Sequence, residues 1–140
     1  MLLLDNSAWS RVVAGGLPND RAETVAGWLE QRQLAICLPF LLEAGYSARA
    51  SADYQEMMDE FDLLFPRVEL AVAMEDRALL AQRELAARGH HRLAPIDVMI
   101  AACAHETGAD VLHYDRDYDL IAEHTSLSFE SVWLAPAGTL

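Results

Sequence analysis

Four carboxylates in this 140-residue sequence stand where short apolar runs stop or where the next helix begins: Asp5, Glu43, Asp97 and Asp115. Asp5 ends Leu2-Leu3-Leu4, Asp115 closely follows Val111-Leu112, Asp97 follows Pro95-Ile96, and Glu43 lies about one helical turn beyond Leu34–Leu38. Carboxylates that converge on one point cannot all stay ionised, because like charges raise one another's pKa. A divalent cation resolves that conflict, and an all-oxygen donor set without His or Cys favours Mg²⁺ or Mn²⁺. Water on such an ion deprotonates more easily and attacks a phosphodiester in line, while the ion neutralises charge growing on the phosphoryl oxygens. An acidic protein can cut RNA in this way. Each acid also has a structural alternative. Asp5 can cap a helix, although Ser7 can do the same, and Asp97 suits a helix N-terminus, where a carboxylate gains ~0.3–1 kcal/mol. Glu43 can be a solvated helix residue. In His113-Tyr114-Asp115-Arg116-Asp117-Tyr118-Asp119 the acids can form a polar turn, and spacing leaves open whether Asp115 or Asp117 leads.

The elements that would position these acids follow from apolar periodicity. Leu2–Leu4 reads as a buried strand, followed by a helix through Ala8, Trp9, Val12 and Val13 that Gly15-Gly16 ends. Residues 21–32 form a helix with Val25, Trp28 and Leu29 on one face, and Leu34–Leu38 a second strand. Pro39 opens a helix running to about Ala52, and a separate helix occupies residues 53–65 until Pro66 stops it. A brief strand is expected at Val68–Val72, then a helix over 73–88 that Gly89 caps, then a loop from His90 to Ala94. Pro95 opens a helix to Gly108; Val111-Leu112 is a strand, a short helix runs to about Glu123, and a last strand lies near Leu127–Leu134. Strands alternating with helices predict one α/β domain over residues 1–140, with a mostly parallel sheet of about five strands flanked by helices on both faces. In such sheets ligands collect outside the carboxyl ends of the strands, where Asp5 and Asp115 fall.

Composition narrows the function. The net charge is −12 and the pI about 4.6, which argues against a broad basic face coating nucleic acid and against DNA binding by this chain alone. All ten basic residues are Arg. A receiver domain, which needs a site lysine, is therefore excluded, as is any Schiff-base or P-loop mechanism. A dehalogenase-like phosphatase needs Asp two residues after its nucleophile, where this chain has Ser7. Cys37 and Cys103 lack metal-ligand spacing and read as reduced core residues. No apolar run is long enough to span a membrane, and a cytoplasmic location is expected. Apolar residues make up 53 %, above the usual ~45–50 % even on a matched residue set, which predicts a further surface for a partner to cover.

Taken together, Leu3-Leu4-Asp5-Asn6-Ser7-Ala8, the Glu43 of Leu41-Leu42-Glu43, Pro95-Ile96-Asp97-Val98-Met99-Ile100-Ala101-Ala102 and Val111 through Tyr118 resemble the PIN-domain ribonucleases, specifically the VapC toxins of bacterial toxin–antitoxin pairs. The resemblance spans nearly the whole chain in order and spacing. It implies that Asp5, Asp97 and Asp115 ligate Mg²⁺ or Mn²⁺, and that Glu43 joins through water or orients the nucleophile. It also implies that Ser7 hydrogen-bonds within the site beside Asn6, with Asp117 as a further acid. His113 departs from the Thr or Ser that many relatives carry there, which puts the local hydrogen bonding in question. The family further implies a homodimer and a VapB-type antitoxin whose C-terminal segment fills an apolar groove. Its substrates are structured RNAs, such as tRNA or rRNA, cut at a loop to inhibit translation. Arg11, Arg49, Arg88 and Arg92 are candidates for RNA-phosphate contact, with surface solvation as the alternative for each. The competing non-enzymatic reading is a PIN-like module that binds RNA or a partner without cutting, its acidic pocket taken by a partner's Arg.

Overall fold

The computed structural model describes residues 1–140. Leu2–Leu4 forms β1, and Asp5 ends it because its extended backbone (φ −99°, ψ 149°) and side chain cap α1, Asn6–Ala14. Gly15, at φ 78°, closes that helix. There follow α2 (Asn19–Glu30), β2 (Leu34–Cys37), α3 (Leu38–Tyr46), α4 (Ser51–Leu64), β3 (Arg67–Val68), α5 (Val72–Ala87), α6 (Pro95–Thr107), β4 (Asp110–His113), α7 (Asp117–His124) and β5 (Ser131–Trp133). Pro39 and Pro95 sit in the first turns of α3 and α6, where a missing N–H costs nothing. Gly108 ends α6 in the left-handed conformation at φ 66°.

The five strands pair in parallel in the order β3-β2-β1-β4-β5. The chain first moves outward from β1 to β2 and β3, then returns through α5 and α6 to lay β4 on the other side of β1. With right-handed crossovers, that reversal sends the two sets of helices to opposite faces. All four residues of β2 are buried, as are Leu3, Leu4 and Val111–His113, as strands covered on both sides must be. One core cluster joins them to Phe40, Phe61, Ile100, Ile121 and Leu134, and both cysteines lie within it as free thiols. The reversal puts a topological switch point between β1 and β4. Their exits are level, since Leu4 pairs with Leu112 and the Asp5 amide continues the ladder to the Leu112 carbonyl at 3.0 Å.

Three expected boundaries shift by more than two residues. The helix opened by Pro39 stops at Tyr46 rather than Ala52, because the chain turns back at residues 47–50 to pack α4 on α3. Gly45 allows the close approach: a Cβ there would lie 2.8 Å from Tyr54 Cε2. The strand expected at Val68–Val72 is only Arg67–Val68, on the sheet edge, and Val72 already belongs to α5. The last strand is confined to Ser131–Trp133; Leu127 is buried from a loop, so its apolar character reports burial and not pairing.

Candidate metal centre

Asp5, at the end of β1, is only 3 % exposed. Its Oδ2 accepts from the Ser7 amide at 2.8 Å and from the Ser7 hydroxyl in a shorter contact. Having donated its proton to Asp5, the Ser7 hydroxyl accepts from the Tyr114 amide at 2.9 Å, which ties the exits of β1 and β4 together. Oδ1 accepts from the Tyr118 hydroxyl at 2.9 Å, and Asp97 Oδ1 lies 3.5 Å from the same hydroxyl. Tyr118 is fully buried, and burial first and Asp5 second push its phenol well above the ordinary tyrosine range, so it stays a proton donor.

Asp97, in the first turn of α6, is 6 % exposed, and its carboxyl is pushed up to about 8 by burial and then by Asp5, Asp115, Glu43 and Asp117. Asp117 is also raised, by burial and by Asp115, against the pull of Arg116. Asp97, Asp115 and Asp117 each present a carboxylate oxygen within 4.8 Å of the others. The tight triad is therefore Asp97-Asp115-Asp117, whereas the expected ligand set had Asp5 in place of Asp117. Asp5 falls outside that triad, its two oxygens bonded to Ser7 and Tyr118, yet it is the foremost of the charges that raise Asp97. Asn6 spans to α3: its amide donates to the Phe40 carbonyl and to Glu43 Oε2, both at 3.0 Å, so Glu43 is turned toward the same place. An all-carboxylate donor set holding more charge than its burial tolerates fits a hard divalent cation.

His113, the departure noted in the sequence, is fully buried at the end of β4. Burial lowers its pKa against the opposing pull of Asp119 and keeps the ring neutral. Its Nδ1 accepts from the Asp115 amide at 3.1 Å, so this histidine braces the backbone from which Asp115 projects. The Asp115 carboxylate in turn accepts from the Asp117 amide at 2.9 Å. Tyr118 and His113 are the functional-site side chains that sequence reasoning did not assign. The only signal for Tyr118 was its place one helical turn after Asp115, in a segment read as a polar turn.

The acids form one wall of a cleft of about 820 Å³ that holds Asp5, Asn6, Ser7, Glu43, Asp97, Asp115 and Asp117 together. Its other wall is apolar, built by Trp9 and Val13 of α1, Tyr46 of α3 and Met57 and Phe61 of α4, with Val13 67 % and Tyr46 92 % exposed. Trp9 meets Phe61 and Phe65 edge-on. None of the four candidate arginines lines the cleft. Arg11 is committed to the Ser7 carbonyl at 2.8 Å and stacks 4.1 Å from the Tyr114 ring centre, while Arg88 reaches His124 Nδ1 at 3.4 Å. Arg49 and Arg92 are exposed, each two residues from a lining residue, Ser47 and Ala94.

Comparison with known proteins bears on this arrangement. The PIN domain family model matches residues 2–124. Ribonuclease VapC18 of Mycobacterium tuberculosis is 38 % identical over 143 residues, covering 98 % of this chain and 97 % of that protein. Ribonuclease VapC51 of the same organism is 43 % identical over 102 residues, 71 % of this chain and 70 % of that one. Among solved structures, VapBC2 from Rickettsia felis, bound to a DNA fragment from its promoter, superposes with a TM-score of 0.73 at 14 % identity, covering 94 % of this chain and 98 % of that one. At that identity the likeness speaks for the fold alone.

Proposed function

The chain belongs to the PIN-domain family, in its VapC ribonuclease branch, and from that premise we propose that it is the toxin of a type II toxin–antitoxin pair, a Mg²⁺- or Mn²⁺-dependent endoribonuclease that inhibits translation. The observation that carries this reading is the gathering of Asp97, Asp115 and Asp117, backed by Asp5 and Glu43, in one cleft at the β1/β4 switch point. Residues 1–140 act in it as one PIN-like domain. Asp97, Asp115 and Asp117 hold the cation, with Asp5 joining through its Ser7-bound carboxylate. When bound, the cation supplies an activated nucleophile and neutralises charge on the phosphodiester. Glu43, steadied by Asn6, orients the attacking water and takes up its proton. The Tyr118 hydroxyl fixes the rotamer of Asp5, and Ser7 keeps the two strand exits in register.

The substrate is a structured RNA such as tRNA or rRNA, cut at a loop, because a splayed strand can lay its backbone along the carboxylates of the cleft. Arg49 and Arg92 flank that cleft in the chain and are the arginines left free for RNA phosphates. The apolar wall suits the C-terminal segment of a VapB-type antitoxin, a partner in keeping with the VapBC2 complex among the structural neighbours. A homodimer has a candidate surface on α5, where Val72, Leu79 and Leu80 are exposed at helical spacing. No helix is long and apolar enough to cross a membrane, and the protein acts in the cytoplasm.

The test uses the full chain purified free of antitoxin. It cleaves RNA with Mg²⁺ or Mn²⁺, stops with EDTA, and loses cleavage in Asp97→Asn. RNA binding without cleavage under all metal conditions would instead favour the non-catalytic module.

A further inference from the structure

Beside the metal centre runs a chain of hydrogen bonds whose directions are all forced. Asp119 on α7, as a carboxylate, only accepts. It takes the Ser131 hydroxyl proton at 2.5 Å and the Trp133 indole N–H at 3.1 Å. With its one proton spent, the Ser131 oxygen accepts from His113 Nε2 at 2.6 Å. The Asp115 amide can only donate, so Nδ1 must offer it a lone pair at 3.1 Å, and the proton of the ring is on Nε2. The ring cannot turn away, since Tyr118 packs 4.9 Å from it on one side and Trp133 meets it edge-on at 5.0 Å. The other tautomer would set an Nδ1–H against the Asp115 N–H, two donors facing each other, and leave that half-buried amide unpaired.

We propose that Ser131 and Asp119, neither of which lines the cleft, are positioning residues for the metal centre: by fixing the tautomer of His113 they hold the backbone of Asp115, and hence its carboxylate, in ligating reach of Asp97 and Asp117. This rests on the metal-dependent reading above and adds an outer layer to it. Residues that orient metal ligands typically change affinity ten- to a hundredfold when removed.

The experiment uses the full chain, ¹⁵N-labelled and metal-free. Long-range ¹H–¹⁵N spectra report the His113 tautomer, calorimetry the Mg²⁺ affinity, and thermal melts the fold. Wild type is expected to carry Nε2–H. Ser131→Ala is expected to mix the tautomers and weaken Mg²⁺ about tenfold. His113→Phe, which fills the space without an acceptor, loses about as much, whereas His113→Asn, whose Oδ1 replaces the lone pair facing Asp115, recovers to within about threefold of wild type. The Asn-against-Phe pair decides the matter should Ser131→Ala not fold. A wild-type Nδ1–H tautomer, unchanged Mg²⁺ affinity in a Ser131→Ala protein with mixed tautomers, or an Asn variant no better than Phe would each overturn the proposal while leaving the nuclease reading intact. Failure of wild type to bind either Mg²⁺ or Mn²⁺ would overturn both.

Discussion

Asp97→Asn tests the electrostatics of the centre separately from catalysis. In the metal-free protein the Asp97 carboxyl is pushed from an ordinary 3.8 up to about 8, chiefly by burial and then by the four neighbouring carboxylates. The folded state thus holds a proton that the unfolded chain releases. The associated stability is fully present below the unfolded pKa near 4 and is lost as pH rises through about 8. At 1.36 kcal/mol per pKa unit, the loss is on the order of 5 kcal/mol by pH 8. Asparagine cannot ionise and carries no such loss. In EDTA, the variant should therefore match wild type near pH 4–5 and melt progressively higher than it toward pH 8. At about 3 °C per kcal/mol for a chain of this size, the gap approaches 15 °C. Saturating Mg²⁺ should narrow it by stabilising wild type alone. The assay is scanning calorimetry of both proteins from pH 4 to 9, with and without Mg²⁺. Parallel melting curves across that range would refute the reasoning, since Asp97 would then feel no crowding.

Other perturbations read other parts of the site. Tyr118→Phe removes the donor to the buried Asp5 Oδ1 and should cost about 1–3 kcal/mol in urea unfolding of the metal-free protein at pH 7, together with weaker Mg²⁺ binding. Asn6→Ala frees Glu43 while leaving the aspartates in place, so RNA cleavage should show kcat about tenfold lower with KM nearly unchanged. Asp5→Asn and Asp115→Asn should each reduce cleavage by at least about a hundredfold with the circular dichroism spectrum preserved.

The sheet and most helices were legible in the residues because apolar periodicity, proline and glycine all agree there. Leu2–Leu4 running into Asp5, and Pro95 opening the helix that carries Asp97, needed nothing beyond local signals. The break between α3 and α4 was expected, but at residues 52–53 and not at 47–50. Ser47-Ala48-Arg49-Ala50 contains no helix breaker, and the chain turns there because tertiary packing brings Tyr54 against Gly45. In the centre, the four acids could be picked out because each stands beside an apolar run. Spacing left open whether Asp115 or Asp117 leads; in the fold α7 begins at Asp117, and a carboxylate oxygen of each lies within 4.8 Å of Asp97. Tyr118 and the links from His113 through Ser131 to Asp119 were out of reach, since they join residues from α7 and β5 whose approach depends on the finished sheet.

The place of β4 beside β1 also sets when the acidic cluster can form. Leu2 pairs with Asp110, so the first strand made waits for nearly the last before it has a neighbour on that side. Nascent chains emerging from the ribosome carry Asp5 and Glu43 long before Asp115 and Asp117 exist, and pairings between such distant segments form slowly. No growing polypeptide short of residue 117 can assemble the carboxylate triad. For a member of a ribonuclease family, chain order itself keeps the acidic cluster incomplete until most of the polypeptide has been made.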